Sequence, residues 1–134
     1  MLTQRNDGSY ALSNASQEGY IDIVNILLDN GIQIETRDND GRTPLWVAAA
    51  NGRTEVVRRL VSAGADVNMQ RNDGSSALSF ASQKGRIDIV NILLENGAQI
   101  ETRDNNGRTP LWDAAAKGRN EVVRRLVSAG ADAT

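Results

Sequence analysis

Carboxylates, amides and guanidinium groups recur at fixed spacing along this 134-residue chain, and they are where chemistry would have to lie. Thr36-Arg37-Asp38-Asn39-Asp40-Gly41 offers oxygen donors close together, as a calcium loop does. That loop needs a bidentate glutamate six residues after its glycine and a carboxylate at its first position. The chain has Val47 and Thr36 there, and an ordinary turn accounts for the residues. Histidine and cysteine are both absent, which removes the commonest general base, the thiol nucleophile and the usual transition-metal ligands. No glycine-rich phosphate loop occurs. Asn14-Ala15-Ser16 matches a glycosylation sequon, but it falls in a helical pattern with no secretion signal before it, and coincidence explains it. Arg58-Arg59 and Arg124-Arg125 have Glu55 and Glu121 within one helical turn, the expected partners on a solvated face. Arg37, Arg42, Arg103 and Arg108 border turns and are better placed to meet an acidic partner. Asp38, Asp40 and Asp104 interleave with them, so no purely basic patch results. No catalytic residue, metal site or cofactor is expected.

Composition narrows the classes further. Fifteen Lys and Arg against 17 Asp and Glu leave a net charge of −2, without the basic excess of a nucleic-acid or membrane-surface binder. The longest wholly apolar run, Leu45 to Ala50, is far too short to span a bilayer. With no disulfide framework and no leader pattern, a cytoplasmic location is the expectation.

The elements that position these residues are set by a period. Gly8, Gly41, Gly74 and Gly107 stand 33 apart (41−8, 74−41, 107−74), and so do Gly19, Gly52, Gly85 and Gly118. Gly31, Gly64, Gly97 and Gly130 keep the same step. Self-similarity in this range marks a stack of small units. In the unit Asp38 to Gln70, Asn39-Asp40-Gly41 reads as a turn and Thr43 as a helix cap. Pro44 suits the first helical position. Leu45, Ala48 and Ala49 share one face of a short helix, which Gly52 ends in the left-handed conformation. A second helix, roughly Arg53 to Ser62, carries the stripe Val56, Val57, Leu60 and Val61 and ends at Gly64. An extended arm, Ala65 to Arg71, leads to the next turn. Neither helix could bury its stripe alone, so the units must stack.

This unit resembles the ankyrin repeat, over nearly all of the chain from about Arg5. Gly41-Arg42-Thr43-Pro44-Leu45-Trp46-Val47-Ala48-Ala49 is similar to that family's G-x-T-P-L-H-x-A-A segment, and Gly107 to Ala115 repeats it. Val57 to Asn68 is similar to its second helix and exit. The family's histidine is replaced by Trp46 and Trp112, and by Ser13 and Ser79 in the alternate units. Thr-Pro becomes Tyr10-Ala11 and Ser76-Ala77. The resemblance implies an all-α solenoid of helix-turn-helix units with projecting turns. It spans one domain, 1–134, in repeats of about 5–37, 38–70, 71–103 and 104–134. It also implies a non-catalytic module that binds another protein. Asp66-Val67-Asn68 resembles a segment that asparaginyl hydroxylases modify in this family; a structural role in the turn is preferred.

A second period of 66 residues is closer still. Asp7–Asn39 against Asp73–Asn105 differs only at Tyr10/Ser76, Asn14/Phe80, Glu18/Lys84, Tyr20/Arg86, Asp29/Glu95 and Ile32/Ala98. Asp40–Asn68 against Asn106–Thr134 differs only at Asp40/Asn106, Val47/Asp113, Asn51/Lys117, Thr54/Asn120, Val67/Ala133 and Asn68/Thr134. Across all four units the most divergent columns are Asn14, Val47, Phe80, Asp113 and Glu18, Asn51, Lys84, Lys117. The two columns lie four apart and so share a helical face, with Tyr10 one turn earlier. This face lies opposite the Leu45/Ala48/Ala49 stripe and is expected to be exposed. In the family it lines a concave groove. The candidate partner-binding set is therefore Tyr10, Asn14, Glu18, Arg42, Val47, Asn51, Phe80, Lys84, Arg108, Asp113 and Lys117. Phe80 suits a binding hot spot, or alternatively lateral packing between units. End-capping or drift would also produce the variation.

The sequence thus points to a protein-binding module that uses the concave first-helix face and turn tips. No nucleic acid, membrane or cofactor is expected, and a monomer is favoured over a homo-oligomer. Two other readings stand beside it: a synthetic or consensus-like scaffold without a natural partner, and a self-assembling structural element. The latter draws on Ile21, Ile23 and Leu27 at one end and Val122, Val123 and Leu126 at the other, whose stripes lack one neighbour.

Overall fold

The computed structural model describes residues 9–133. The start of the first repeat, residues 5–8 with Gly8, and Thr134 lie outside the described residues. Among the described residues eight helices follow in four pairs: α1 Ser9–Glu18 and α2 Ile21–Asp29, α3 Pro44–Ala50 and α4 Thr54–Ser62, α5 Ala77–Lys84 and α6 Ile87–Glu95, α7 Pro110–Ala116 and α8 Asn120–Ser128. Among the described residues there is no strand beyond one isolated bridge, Gln70 to Ser76. First helices pack on first helices (α1, α3, α5, α7) and second on second (α2, α4, α6, α8), giving two layers.

The caps are those the residue types demand. Thr43, Ser76 and Thr109 each accept a hydrogen bond from the backbone N–H three residues on, and Pro44 and Pro110 open their helices. The core runs through the stack as one cluster, with Leu12, Leu45, Leu78, Val24, Val57, Val90, Leu60, Leu93 and Leu126 all at 1% exposure or less. Of the residues expected at the ends, Ile23 is exposed, but Val122 and Leu126 are fully buried and Val123 partly so. Val122 and Leu126 belong to the core cluster, on the side of α8 that packs on α7 and α6.

Three hydrogen-bond ladders lock the spacing between units. Arg53 and Arg119 donate through Nε to the carbonyls of Gln17 and Gln83 at 2.9 Å, and Arg86 donates through Nη2 to Ala50 at 3.1 Å. Each of these arginines precedes a second helix and reaches back to the first helix of the unit before. Each also lies over a glycine. A Cβ on Gly52, whose φ is +73°, would sit 2.5 Å from Arg86 Nη1. The second ladder joins the exits: Glu35 accepts from Asp66 N–H (2.6 Å), Asn68 Oδ1 from Gln99 N–H (2.8 Å) and Glu101 from Asp132 N–H (3.4 Å). Asn68 N–H donates to Asp66 Oδ1 within the turn, and its amide donates to the Gly97 carbonyl of the next unit, a bond beyond the turn role preferred above. The third ladder joins the turns. Asn72 N–H donates to the Asp40 carbonyl and its amide to Asn39; Asn105 makes the same pair to Asp73 and Asn72.

The second helices correct one expectation. Arg59 and Arg125 do not settle on Glu55 and Glu121. Their Nε atoms donate across the interface to Asn25 Oδ1 (2.7 Å) and Asn91 Oδ1 (2.6 Å), and Arg59 also approaches Asp29 at 3.4 Å. A half-buried guanidinium on this face meets the neighbouring helix before it meets its own turn. Arg58 and Arg124 remain exposed.

Candidate functional site

The turns that flank the groove are built by aspartates acting as internal acceptors. Asp38 Oδ1 takes the N–H groups of Asp40 and Arg42 at 2.9 Å each, and its Oδ2 takes Arg42 Nε at 2.7 Å. Asp104 Oδ1 takes Asn106 and Arg108 N–H in the same way. The oxygens that resembled cation ligands are thus occupied in closing turns. Arg42 is tied to Asp38 and lies 3.9 Å from Asp40, so little of its charge is offered outward. Arg37 donates to the Gln70 carbonyl and Arg103 to the Gly107 carbonyl. Arg108 is exposed, with its guanidinium carbon over the Trp112 ring, 4.6 Å from the centroid.

The structure splits the candidate stripe. Asn14, Glu18, Asn51, Lys84 and Lys117 are exposed, and Tyr10 is half-buried. Val47 and Asp113 were expected to be exposed and are buried, at 3% and 8% exposure. Val47 is buried because the seven-residue α3 is flanked by α1, α5 and α4; Asp113, on α7, is buried on the side that faces α5 and the cleft beside Phe80. Only a narrow strip near the C-terminal end of α3 stays open. Phe80 is partly buried: it packs sideways on Trp46, ring centroids 5.0 Å apart at 56°, which is the lateral-packing alternative. Lys84 Nζ stands 5.3 Å from the Phe80 ring.

Sequence reasoning missed Trp46 and Arg71 as parts of this wall. The Trp46 indole donates to the Ser75 carbonyl of the next unit at 3.0 Å, so tryptophan keeps an interunit tie where the histidine was lost. Arg71 stacks over the same indole at 4.6 Å and is held from the other side by Asp73, Nη2 to Oδ2 2.6 Å. That bond raises the Arg71 pKa and lowers that of Asp73, whose Oδ1 also accepts from Ser75 N–H. The 33-residue register hid it: Gln70 is the counterpart of Arg37 and Arg103, and Arg71 falls in the column of Asp38 and Asp104.

Between the third and fourth turns and the helices α5 and α7 lies a cleft of about 220 Å³. Phe80 forms its apolar wall, Arg71 and Arg108 are its cations, and Asp73, Asp104 and Asp113 are its acids. Burial pushes the Asp113 pKa up to about 6; the negative charge of Asp104 adds to this, and Arg108 opposes it. Among the described residues no three acidic side chains gather as a metal site would require. No described helix is long and apolar enough to cross a membrane.

Two overlapping stretches, residues 1–71 and 60–134, match the family model for ankyrin repeats (3 copies). No individual curated protein matches the chain. Members of this family are generally protein–protein interaction modules and typically non-enzymatic. With the paired helices, the projecting turns and a match that runs the length of the sequence, the chain belongs to the ankyrin-repeat family.

Proposed function

We propose that the chain binds another protein along the concave face formed by α1, α3, α5, α7 and the adjoining turns. The observation that carries this reading is a division of labour. Most of the arginines and asparagines that repeat between units are engaged in interunit, intraturn or helix-end bonds, with Arg58 and Arg124 the exceptions on the second-helix face. The exposed members of the divergent columns, Asn14, Glu18, Lys84 and Lys117, are outside those ladders. Side chains free of structural duty on a rigid wall suit recognition, because little conformational freedom of the backbone is lost on binding. The cleft beside Phe80 suits a segment that presents a carboxylate to Arg108 and an apolar group to the ring. Buried Val47 acts as support for this wall and contacts no partner directly.

A photo-crosslinking residue placed in turn at positions 84, 117, 58 and 124 tests the reading. Positions 84 and 117 should capture the bound protein in a lysate, and positions 58 and 124, on the opposite helix layer, should not. Capture from 58 or 124 alone moves the site to the second-helix face.

A further inference from the structure

The differences between the two halves of the chain carry a direction. Five of the substituted pairs change charge: Glu18/Lys84, Tyr20/Arg86, Asp40/Asn106, Asn51/Lys117 and Val47/Asp113. Four of the five make the second half more positive, and only buried Asp113 goes the other way. The whole chain has a net charge of −2, so the change runs against its overall sign. Positions 18, 51, 84 and 117 form one column at the C-terminal ends of α1, α3, α5 and α7. Along the stack this column reads Glu, Asn, Lys, Lys. All four are exposed. Asn51 and Lys84 have a unit on either side, so exposure of the column is a property of the internal units.

The cations of the column are not engaged within the fold. Among the described residues neither Lys84 nor Lys117 forms an ion pair or a hydrogen bond; Lys84 rests its Nζ against the Phe80 ring, 5.3 Å from the centroid. Arg86 bonds the Ala50 carbonyl and no carboxylate. With Lys84 it lines a hollow of about 290 Å³, closed by Thr54 and the start of α6. Two acids stand near these groups, Asp88 on that hollow and Asp113 one helical turn before Lys117, and neither is ion-paired with them. Complementing the helix dipole would favour a cation at the end of every first helix. Glu18 and Asn51 show that the dipole does not set this column. Packed helices lie about 8–10 Å apart. Lys84 and Lys117 are therefore like charges side by side, an arrangement that an anionic ligand stabilises and the isolated chain does not.

We propose that the groove takes an acidic, extended segment of another protein, with carboxylates on Lys84 and Lys117, an apolar side chain on Phe80 and a basic end toward Glu18. This rests on the groove reading above and adds to it the charge and direction of the partner. Extended backbone advances about 3.3 Å per residue, so acids three residues apart match the spacing of neighbouring units. The exposed strip is narrow, which suits an extended chain better than a helix about 10–12 Å across. A nucleic-acid strand, charged at every residue, would also meet Asp73, Asp104 and Asp113 along the cleft. A segment with its acids three apart sets them on the lysines alone.

NMR titration of the isotope-labelled chain with blocked synthetic peptides tests the proposal. One peptide of about twelve residues carries Glu at every third position of one half, Leu between them and Lys at the other end; in its controls Gln or Lys replaces Glu. At low salt the Glu peptide should bind at least about tenfold more tightly than the Gln peptide, weaken with salt, and shift the amides of α5 and α7 first. A spin label on its Lys end should broaden Glu18 and spare Lys117; the reverse overturns the direction. Lys84→Glu and Lys117→Glu should each lower affinity about threefold or more, and both side chains are exposed, so the remaining spectrum should hold. A chain carrying both changes should prefer the Lys peptide. Arg58→Glu and Arg124→Glu should leave affinity unchanged. Equal binding of the Glu and Gln peptides on the first-helix face overturns the charge assignment and leaves the groove reading standing. Shifts confined to α2, α4, α6 and α8 overturn both. No binding of the Glu peptide at low salt, lysine variants that bind it as the parent does, or tighter binding of a thymidine oligonucleotide also overturns the proposal.

Discussion

Asp113 is the residue whose replacement should be most informative. Its counterpart two units earlier is Val47, and both are buried, yet Asp113 carries a carboxyl group with only Arg108 as an opposing charge. Its pKa in the folded chain is about 6, against an ordinary value of 3.8. Because the folded value is the higher one, the folded state holds the proton longer as pH rises. Between about pH 4 and pH 6 the unfolded chain has released a proton that the folded chain retains, so stability falls with rising pH. Below that window the penalty is absent, and above it the penalty is fully present. A shift of about two units corresponds to a ceiling of about 3 kcal/mol. The cleft is open on one side, and screening there reduces the figure to about 1–2 kcal/mol. Asp113→Asn keeps the shape and removes the charge. At pH 7.5 it should therefore be the more stable chain by about 1–2 kcal/mol, or a few degrees in melting temperature. At pH 4 the two chains should coincide. Urea titrations at unit steps from pH 4 to pH 8 measure the gap directly. A gap that is constant with pH, or that widens toward acid, refutes the argument that burial of the charge is what the fold tolerates here.

Gly52→Ala and Gly118→Ala force the same left-handed φ on alanine, at about 1–2 kcal/mol each. Gly52→Ala also displaces Arg86 from the Ala50 carbonyl and should cost about 1 kcal/mol more in thermal or urea melts. Trp46→Phe should destabilise by about 1–3 kcal/mol, since it orphans the Ser75 carbonyl beneath a stacked arginine, whereas Trp112→Phe at the exposed end should cost little. Phe80→Ala should lower stability as well as affinity because the ring packs on Trp46, so Arg108→Ala is the cleaner probe of partner binding. Deleting residues 72–134 should remove far more than half the unfolding free energy in a urea melt, because interfaces and not single units carry the stability.

The residue types alone determined the periods, the helix pairs, their caps and the turns. Those features depend on contacts within a few residues: a hydroxyl bonding an N–H three positions on, a ring that pre-sets φ, a glycine that accepts positive φ. Arg58 and Thr43 stand where local rules put them. What only the tertiary structure decided is which side of each helix meets a neighbour. Val47 and Asp113 lie on the helical face that the Leu45/Ala48/Ala49 stripe leaves opposite, and local reasoning made that face open. Val47 is closed in because α3 has a first helix on either side, and Asp113 because it faces α5 and the cleft beside Phe80, although the far side of α7 is open. Arg59 had Glu55 within one turn, but its guanidinium found Asn25 on the preceding unit, a pairing that sequence distance conceals. Trp46 and Trp112 have the same local sequence before them and opposite environments. Exposure of a side chain in a stack is a property of the interface, and the interface exists only where another unit is in place to make it.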